Sequence, residues 1–211
     1  TQNQAFSAIL FLYEHVLEQP LDRIEGVVRA RRPKRLPVAL TVDEVSRVMA
    51  HLNGDKWLIA MLLYGGGLRL LEALRLRVKD LDFERGDITV REGKGDKDRL
   101  TTMPRAVVRP LQEHLERVEA IHQQDLADGY GRVELPHALA REYPNANREW
   151  CWQFVFPQEL RWRNNKTGEQ GRHHVHESLV QKAVRHAVRN ARLTKRVTSH
   201  TFRHTFATHL L

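Results

Sequence analysis

The sequence predicts a mainly α chain of the α+β class, carrying one small antiparallel β-sheet on an edge. Three observations carry that expectation. Apolar residues recur at three- and four-residue spacing in one segment after another, the mark of amphipathic helices. Only DITVRE and DRLTTM, on either side of GKG, read as a strand pair. The clearest helix start, the capping box Thr41-Val42-Asp43-Glu44, stands directly ahead of a periodic apolar run.

From the N-terminus, Phe6, Ile9, Leu10, Tyr13, Val16 and Leu17 share one helical stripe, which Pro20 ends. One amphipathic helix cannot bury its own apolar face, so residues 1–28 read as the last helix of a domain that begins upstream. Residues 29–40 read as an extended linker, because RARRPKR sets five basic side chains around Pro33. The main domain is expected at 41–211. Val45, Val48, Met49 and Leu52 mark its first helix, and residues 56–64 a second, more apolar one. Gly65–Gly67 interrupt the pattern, and Leu70, Leu71 and Leu74 restart it with Arg69 and Glu72 on the other face. The hairpin follows, with its strands joined by a tight turn, and Val108, Leu111, Leu115, Val118 and Leu126 then mark a long helix. From about 128 to 172 the pattern is irregular, with a short helical stretch at 135–142 and an expected strand at QFVFP, and reads as an insertion. Val180, Val184, Ala187, Val188 and Ala191 line a helix whose other face carries Lys182, Arg185, Arg189 and Arg192. Ser199 is the expected N-cap of the last helix.

Charge narrows the function classes. Against 26 Asp+Glu stand 34 Lys+Arg, a net charge of +8 that favours a polyanionic partner, nucleic acid first. No run approaches the roughly 18 apolar residues of a membrane span, and the start TQNQAFSAIL lacks the basic opening of a signal peptide, so a cytoplasmic protein with no membrane partner is expected. The single Cys151 excludes an internal disulfide framework.

Four polar elements could carry chemistry: Arg69 with Glu72, Lys94 in the hairpin turn, the basic helix after Ser178, and His200 with Arg203. Each alone has an ordinary reading; an exposed arginine is usually a solvated charge or half of an ion pair contributing at most about 1 kcal/mol. Together they match metal-free phosphodiester transfer. Arg69 and Arg203 could hold both non-bridging oxygens of the transition state with their fixed donor forks. Lys94 could protonate the departing 5′ oxygen, and His200 could accept or relay the proton of a nucleophile. Glu72, one turn from Arg69, would orient it or pack against the domain.

GGGLRLLEALRLRVKDLD, GKGDKDR and SHTFRHTFATHLL resemble, in order and spacing, the three catalytic blocks of the tyrosine recombinases, the phage-integrase family. The resemblance implies a helical catalytic domain with Arg69, Lys94, His200 and Arg203 as catalytic residues, no cofactor, and a DNA-clamping core-binding domain to which residues 1–28 would belong. The insertion ELPHALAREYPNANREWCWQFVFP resembles the segment peculiar to integron integrases. That subgroup implies integration and excision of gene cassettes through a covalent 3′-phosphotyrosyl intermediate, by a homo-tetramer acting on duplex primary sites and folded single-stranded cassette sites. Leu135, Pro136, His137, Tyr143 and Pro144 would then take part in cassette-site recognition. Arg31, Arg32, Lys34, Arg35, Lys97, Arg99, His174, His176 and Lys182 are the expected DNA contacts. The family pattern continues past a helix like 199–211 to a nucleophilic tyrosine, which this chain is expected to lack, leaving it able to bind DNA without cleaving it.

Competing readings stay open. His173, His174 and His176 could suggest a metal site, yet no cysteine or carboxylate spacing completes a ligand set, and no metal is expected. Trp150 and Trp162 could stack on bases, whereas Trp152 reads better as core. The three glycines lack the spacing and Lys-Ser/Thr ending of a phosphate-binding loop. A non-catalytic DNA-binding protein derived from a recombinase is the alternative function, and a metal-dependent nuclease a third.

Overall fold

The structure, a computed structural model, describes residues 2–21, 26, 38–91, 98–135, 139–143, 145–165 and 168–210. The chain divides into two compact units, Thr1–Leu36 and Pro37–Leu211. The first contains helix α1 (Gln2–Phe11), which continues as a π-helical turn over Leu12–Val16. None of these residues is buried, and Ile9, Phe11, Leu12 and Val16 present apolar surface. The helix ends ahead of Pro20, where Glu18 takes a left-handed φ of +53°.

The second unit is helical with a small three-stranded sheet. Its helices are α2 (Val42–Met49), α3 (Gly54–Gly65), α4 (Leu70–Leu74), α5 (Val108–Ala127), α6 (Leu139–Glu142), α7 (Glu177–Asn190) and α8 (Ser199–His209). Strands β1 (Leu81–Asp82), β2 (Asp87–Val90) and β3 (Arg99–Thr102) pair antiparallel in that order, with Ile88 opposite both Leu81 and Thr101. A two-stranded ribbon, β4 (Trp162–Arg163) with β5 (Gln170–Gly171), lies in the insertion. The mainly α architecture with its antiparallel sheet is the one the periodicity predicts.

The capping box forms as the sequence requires: the Glu44 N–H donates to Thr41 Oγ1 at 3.2 Å, and the Thr41 N–H donates to Glu44 Oε2 at 2.8 Å. The main core takes Val45 and Val48 from α2, Leu58, Ile59, Leu62 and Leu63 from α3, Ile88 and Val90 from β2, Leu111 from α5, Val180 and Val184 from α7, and Phe202 from α8. Burying each such side chain contributes roughly 1.5–3 kcal/mol. A smaller cluster of Val133, Leu135, Ala146 and Phe154 supports the insertion, and Trp152 packs against it half-buried.

Several local expectations are corrected. QFVFP is not a strand: it makes only the isolated bridges Arg77 to Phe154 and Pro157 to His174, because the consecutive Val155 and Phe156 both enter the main core instead of alternating between two faces. The described hairpin strands pair Asp87–Val90 with Arg99–Thr102, and Arg91 is drawn to the buried Asp80 at 2.7 Å; the expected tight turn between the strands lies outside the described residues. The short helix of the insertion is Leu139–Glu142. The last helix is capped by Thr198, not Ser199; the Thr198 N–H donates to Thr201 Oγ1 at 3.0 Å, so His200 is the second helical residue. Among the described residues no helix is long and apolar enough to cross a membrane.

Candidate active site

The glycine turn between α3 and α4 determines how α8 approaches. Gly67 has a φ of +61°, and a Cβ there would stand 2.4 Å from the Phe206 ring. Glycine thus lets α8 pack against the turn, and Arg203 donates to the Gly67 carbonyl across the same seam. Arg69, at the end of the turn, is the extended N-cap residue of α4.

Glu72 is the hub on which the charged groups converge. Its side chain is 9 % exposed. Oε2 accepts the Arg69 N–H at 2.8 Å, and Oε1 accepts the Arg69 guanidinium at 2.5 Å. Arg99 grips the same carboxylate with both arms of its fork, at 3.0 and 2.6 Å. Arg203 Nη1 lies 3.7 Å from Oε2. Burial pushes the Glu72 carboxyl up, but the bonds from Arg99 and Arg69 more than offset this and bring it down to about 2, so it stays ionised. Among the described residues, three guanidiniums around one carboxylate leave a surplus of two positive charges. That surplus suits a phosphoryl group whose charge grows in the transition state.

His200 stands beside this centre. Its pKa is lowered by partial burial first, then by His204, Arg203 and Arg69, which favours the neutral ring with a lone pair to receive a proton. The His204 ring packs edge-on against it, centroids 4.4 Å apart. Among the described residues neither His200 ring nitrogen is committed to a hydrogen bond.

The structure therefore brings Arg69, Glu72, Arg99 and Arg203 together, with His200 adjoining. Arg99, expected as a DNA contact, spends its fork on Glu72; its basic character was legible, whereas a partner 27 residues away leaves no spacing signal. Lys94, Lys97, Arg31, Arg32, Lys34, Arg35, Pro136, His137 and Pro144 lie outside the described residues. His174, its pKa lowered by burial, contacts the Phe154 and His173 rings and bonds the Val175 carbonyl. His176 caps α7 by accepting the Ser178 N–H at 3.2 Å, and Lys182 is exposed on that helix. Among the described residues no group of three or more His, Cys, Asp or Glu side chains could hold a metal ion.

The insertion contains an open pocket of about 730 Å³ that sequence reasoning did not anticipate. Leu135, Trp162 and His173 give it apolar and aromatic walls, and Asn147, Asn164 and Glu169 add polar groups. Tyr143, 59 % exposed, is not among its lining residues.

The sequence profile of the phage integrase family matches residues 39–211, most of the chain and all of this centre. The chain belongs to the phage integrase family. Proteins described as integrase/recombinase from Escherichia coli and Pseudomonas aeruginosa are each 46% identical to this family member over 185 residues, 88% of the chain. The chain spans 55% of the length of each of those relatives. The tyrosine recombinase XerA of Pyrococcus furiosus is 38% identical over 99 residues, 46% of this chain and 35% of its own. Among solved structures, an XerA recombinase superposes with a TM-score of 0.53 at 25% identity, covering 99% of this chain and 61% of that one. An XerH site-specific recombinase bound to its difH substrate gives 0.59 at 22% identity, covering 97% of this chain and 52% of that one, a likeness of fold.

Proposed function

We propose that the protein to which this chain belongs is a tyrosine-type site-specific DNA recombinase, and that the Glu72-centred arginines seat the scissile phosphate. The surplus of two positive charges on one buried carboxylate, beside a neutral histidine, is the observation that carries this reading. Arg69 and Arg203 neutralise the non-bridging oxygens while a tyrosine oxygen forms a bond to phosphorus and the bond to the 5′ oxygen breaks. His200 takes the tyrosine proton, and Lys94 protonates the leaving 5′ oxygen. The 3′-phosphotyrosyl ester conserves the bond energy, so religation to a second DNA end needs no ATP. Tyr64 spends its hydroxyl on His209, and none of Tyr13, Tyr64, Tyr130 and Tyr143 follows the His200–Arg203 helix, so we assign the nucleophile to a tyrosine outside these 211 residues.

We further propose the integron-type specificity: recombination of gene cassettes by a tetramer, with the insertion receiving an unpaired base of a folded single-stranded site. What supports it is an open pocket within the 300–1,000 Å³ range of ligand sites, walled by Trp162 and His173, since an extruded base stacks on aromatic faces. The basic segment from Arg31 to Arg35 together with Lys97, His174, His176 and Lys182 would hold flanking phosphates.

The test is to incubate the full-length protein with a nicked suicide substrate in EDTA. A covalent protein–DNA adduct is expected. Its absence on duplex and folded single-stranded sites alike would overturn the enzymatic reading and leave the non-catalytic DNA binder. An adduct on duplex sites only would remove the cassette specificity alone.

A further inference from the structure

Helix α8 presents two opposed faces. At about 100° per residue, His200 and Arg203 lie on one side and Thr205 and His209 on the other. That second side grips one residue near the start of the second unit. The Leu40 N–H donates to the buried Thr205 Oγ1 at 3.1 Å, and the Leu40 carbonyl lies 2.9 Å from His209 Nε2. A carbonyl only accepts, so Nε2 carries the proton and Nδ1 is left to accept the Tyr64 hydroxyl at 3.0 Å. Lys195 adds a bond to the Ala39 carbonyl at 3.3 Å and an ion pair to Glu44 at 2.7 Å. Both backbone groups of Leu40, itself 2 % exposed, are thus held by the helix that carries the phosphate-facing residues. Tyr64 directly precedes the Gly65–Gly67 turn, so the same network reaches the segment that presents Arg69.

We propose that Thr205, His209 and Tyr64 are positioning residues, which register the arginine centre against the chain as it enters the second unit. The helix acts as a stiff beam: a shift of Leu40 moves α8, and with it His200 and Arg203. The effect on cleavage rests on the recombinase reading above, whereas the effect on the backbone does not.

Two measurements on the full-length protein test it: single-turnover cleavage of a nicked duplex, and hydrogen exchange at the Leu40 amide with and without that duplex. Thr205→Val keeps the shape and removes the acceptor. It should speed Leu40 exchange about tenfold, the loss of one hydrogen bond, and slow cleavage by a similar factor while duplex affinity stays within about twofold. His209→Leu should slow cleavage likewise, and His209→Gln, which can still donate to the Leu40 carbonyl, should recover most of the rate. Tyr64→Phe should have the smallest effect. Duplex binding should slow Leu40 exchange in the wild type and not in Thr205→Val. Unchanged cleavage despite faster Leu40 exchange would overturn the proposal, as would losses of cleavage matched by losses of affinity, or no recovery with glutamine. If the wild type forms no adduct, the recombinase reading falls by itself. The absence of any duplex effect on Leu40 exchange would then overturn the positioning role separately.

Discussion

Two buried carboxylates in this molecule each gather arginines, yet they leave opposite results. Asp125 on α5, 6 % exposed at its side chain, is held by both arms of Arg172 at 2.5 and 3.0 Å and by Arg161 at 3.4 Å. Arg161 is shared with Asp128 at 3.3 Å and lies over the Tyr130 ring, while Arg172 donates its remaining arm to the Gln158 and Glu159 carbonyls. Two cations meet two anions, and the donors of Arg172 are spent. Among the described residues, Glu72 meets three cations with no second anion. The Asp125 knot is closed and ties the insertion to α5; the Glu72 centre is open to one more anion. Charge balance and spent donors, rather than burial or the presence of arginine, separate the structural site from the candidate active site.

The contrast predicts effects of different kind and decreasing size. Arg69→Ala or Arg203→Ala in the full-length protein should slow single-turnover cleavage by about 10²–10³-fold, the scale of losing a transition-state donor, with the melting temperature little changed. Arg172→Ala should do the reverse. Leaving Asp125 without its bidentate partner should cost on the order of 3 kcal/mol in a urea titration, with cleavage by the folded protein unaltered on duplex sites. Gly67→Ala should affect both: the added methyl must displace Phe206 and adopt a positive φ, so stability should fall by about 2 kcal/mol and cleavage should fall with it. The smallest effect lies on the pH axis. The folded pKa of Glu72, about 2, is below its ordinary 4.5, so its stabilisation is complete above pH 4.5 and is lost as the pH falls toward 2. By pH 4 about 1 kcal/mol should be gone, and Glu72→Gln should flatten that part of the stability curve.

Much of the candidate site was legible in the sequence because its key pairs are local. Arg69 with Glu72 and His200 with Arg203 are each three residues apart, so helical geometry alone places them together. The α3–α8 packing was not legible, since Phe206 against Gly67 spans the domain. Neither was the role of Arg99, nor the Asp125–Arg172 and Tyr64–His209 pairs, whose partners stand 27, 47 and 145 residues apart. Strands β1, β4 and β5 have two residues each, too few to show a period. QFVFP misled for the opposite reason: a bulky apolar run looks like a strand when it is in fact a core plug with only isolated bridges. The open pocket depends on Val133, Asn147, Trp162 and His173 meeting from distant parts of an irregular segment, which no spacing rule encodes.

The claim that the arginines around Glu72 neutralise a phosphate can be isolated by removing the phosphate charge instead of the protein's. A methylphosphonate at the scissile position replaces one charged oxygen by a methyl group. With the full-length Arg203→Ala variant, adduct formation should be restored on the methylphosphonate relative to the natural phosphate, because the missing guanidinium no longer has a charge to balance. Equal failure of Arg203→Ala on both substrates would contradict that role and make Arg203 a packing residue that seats α8 on the Gly67 turn.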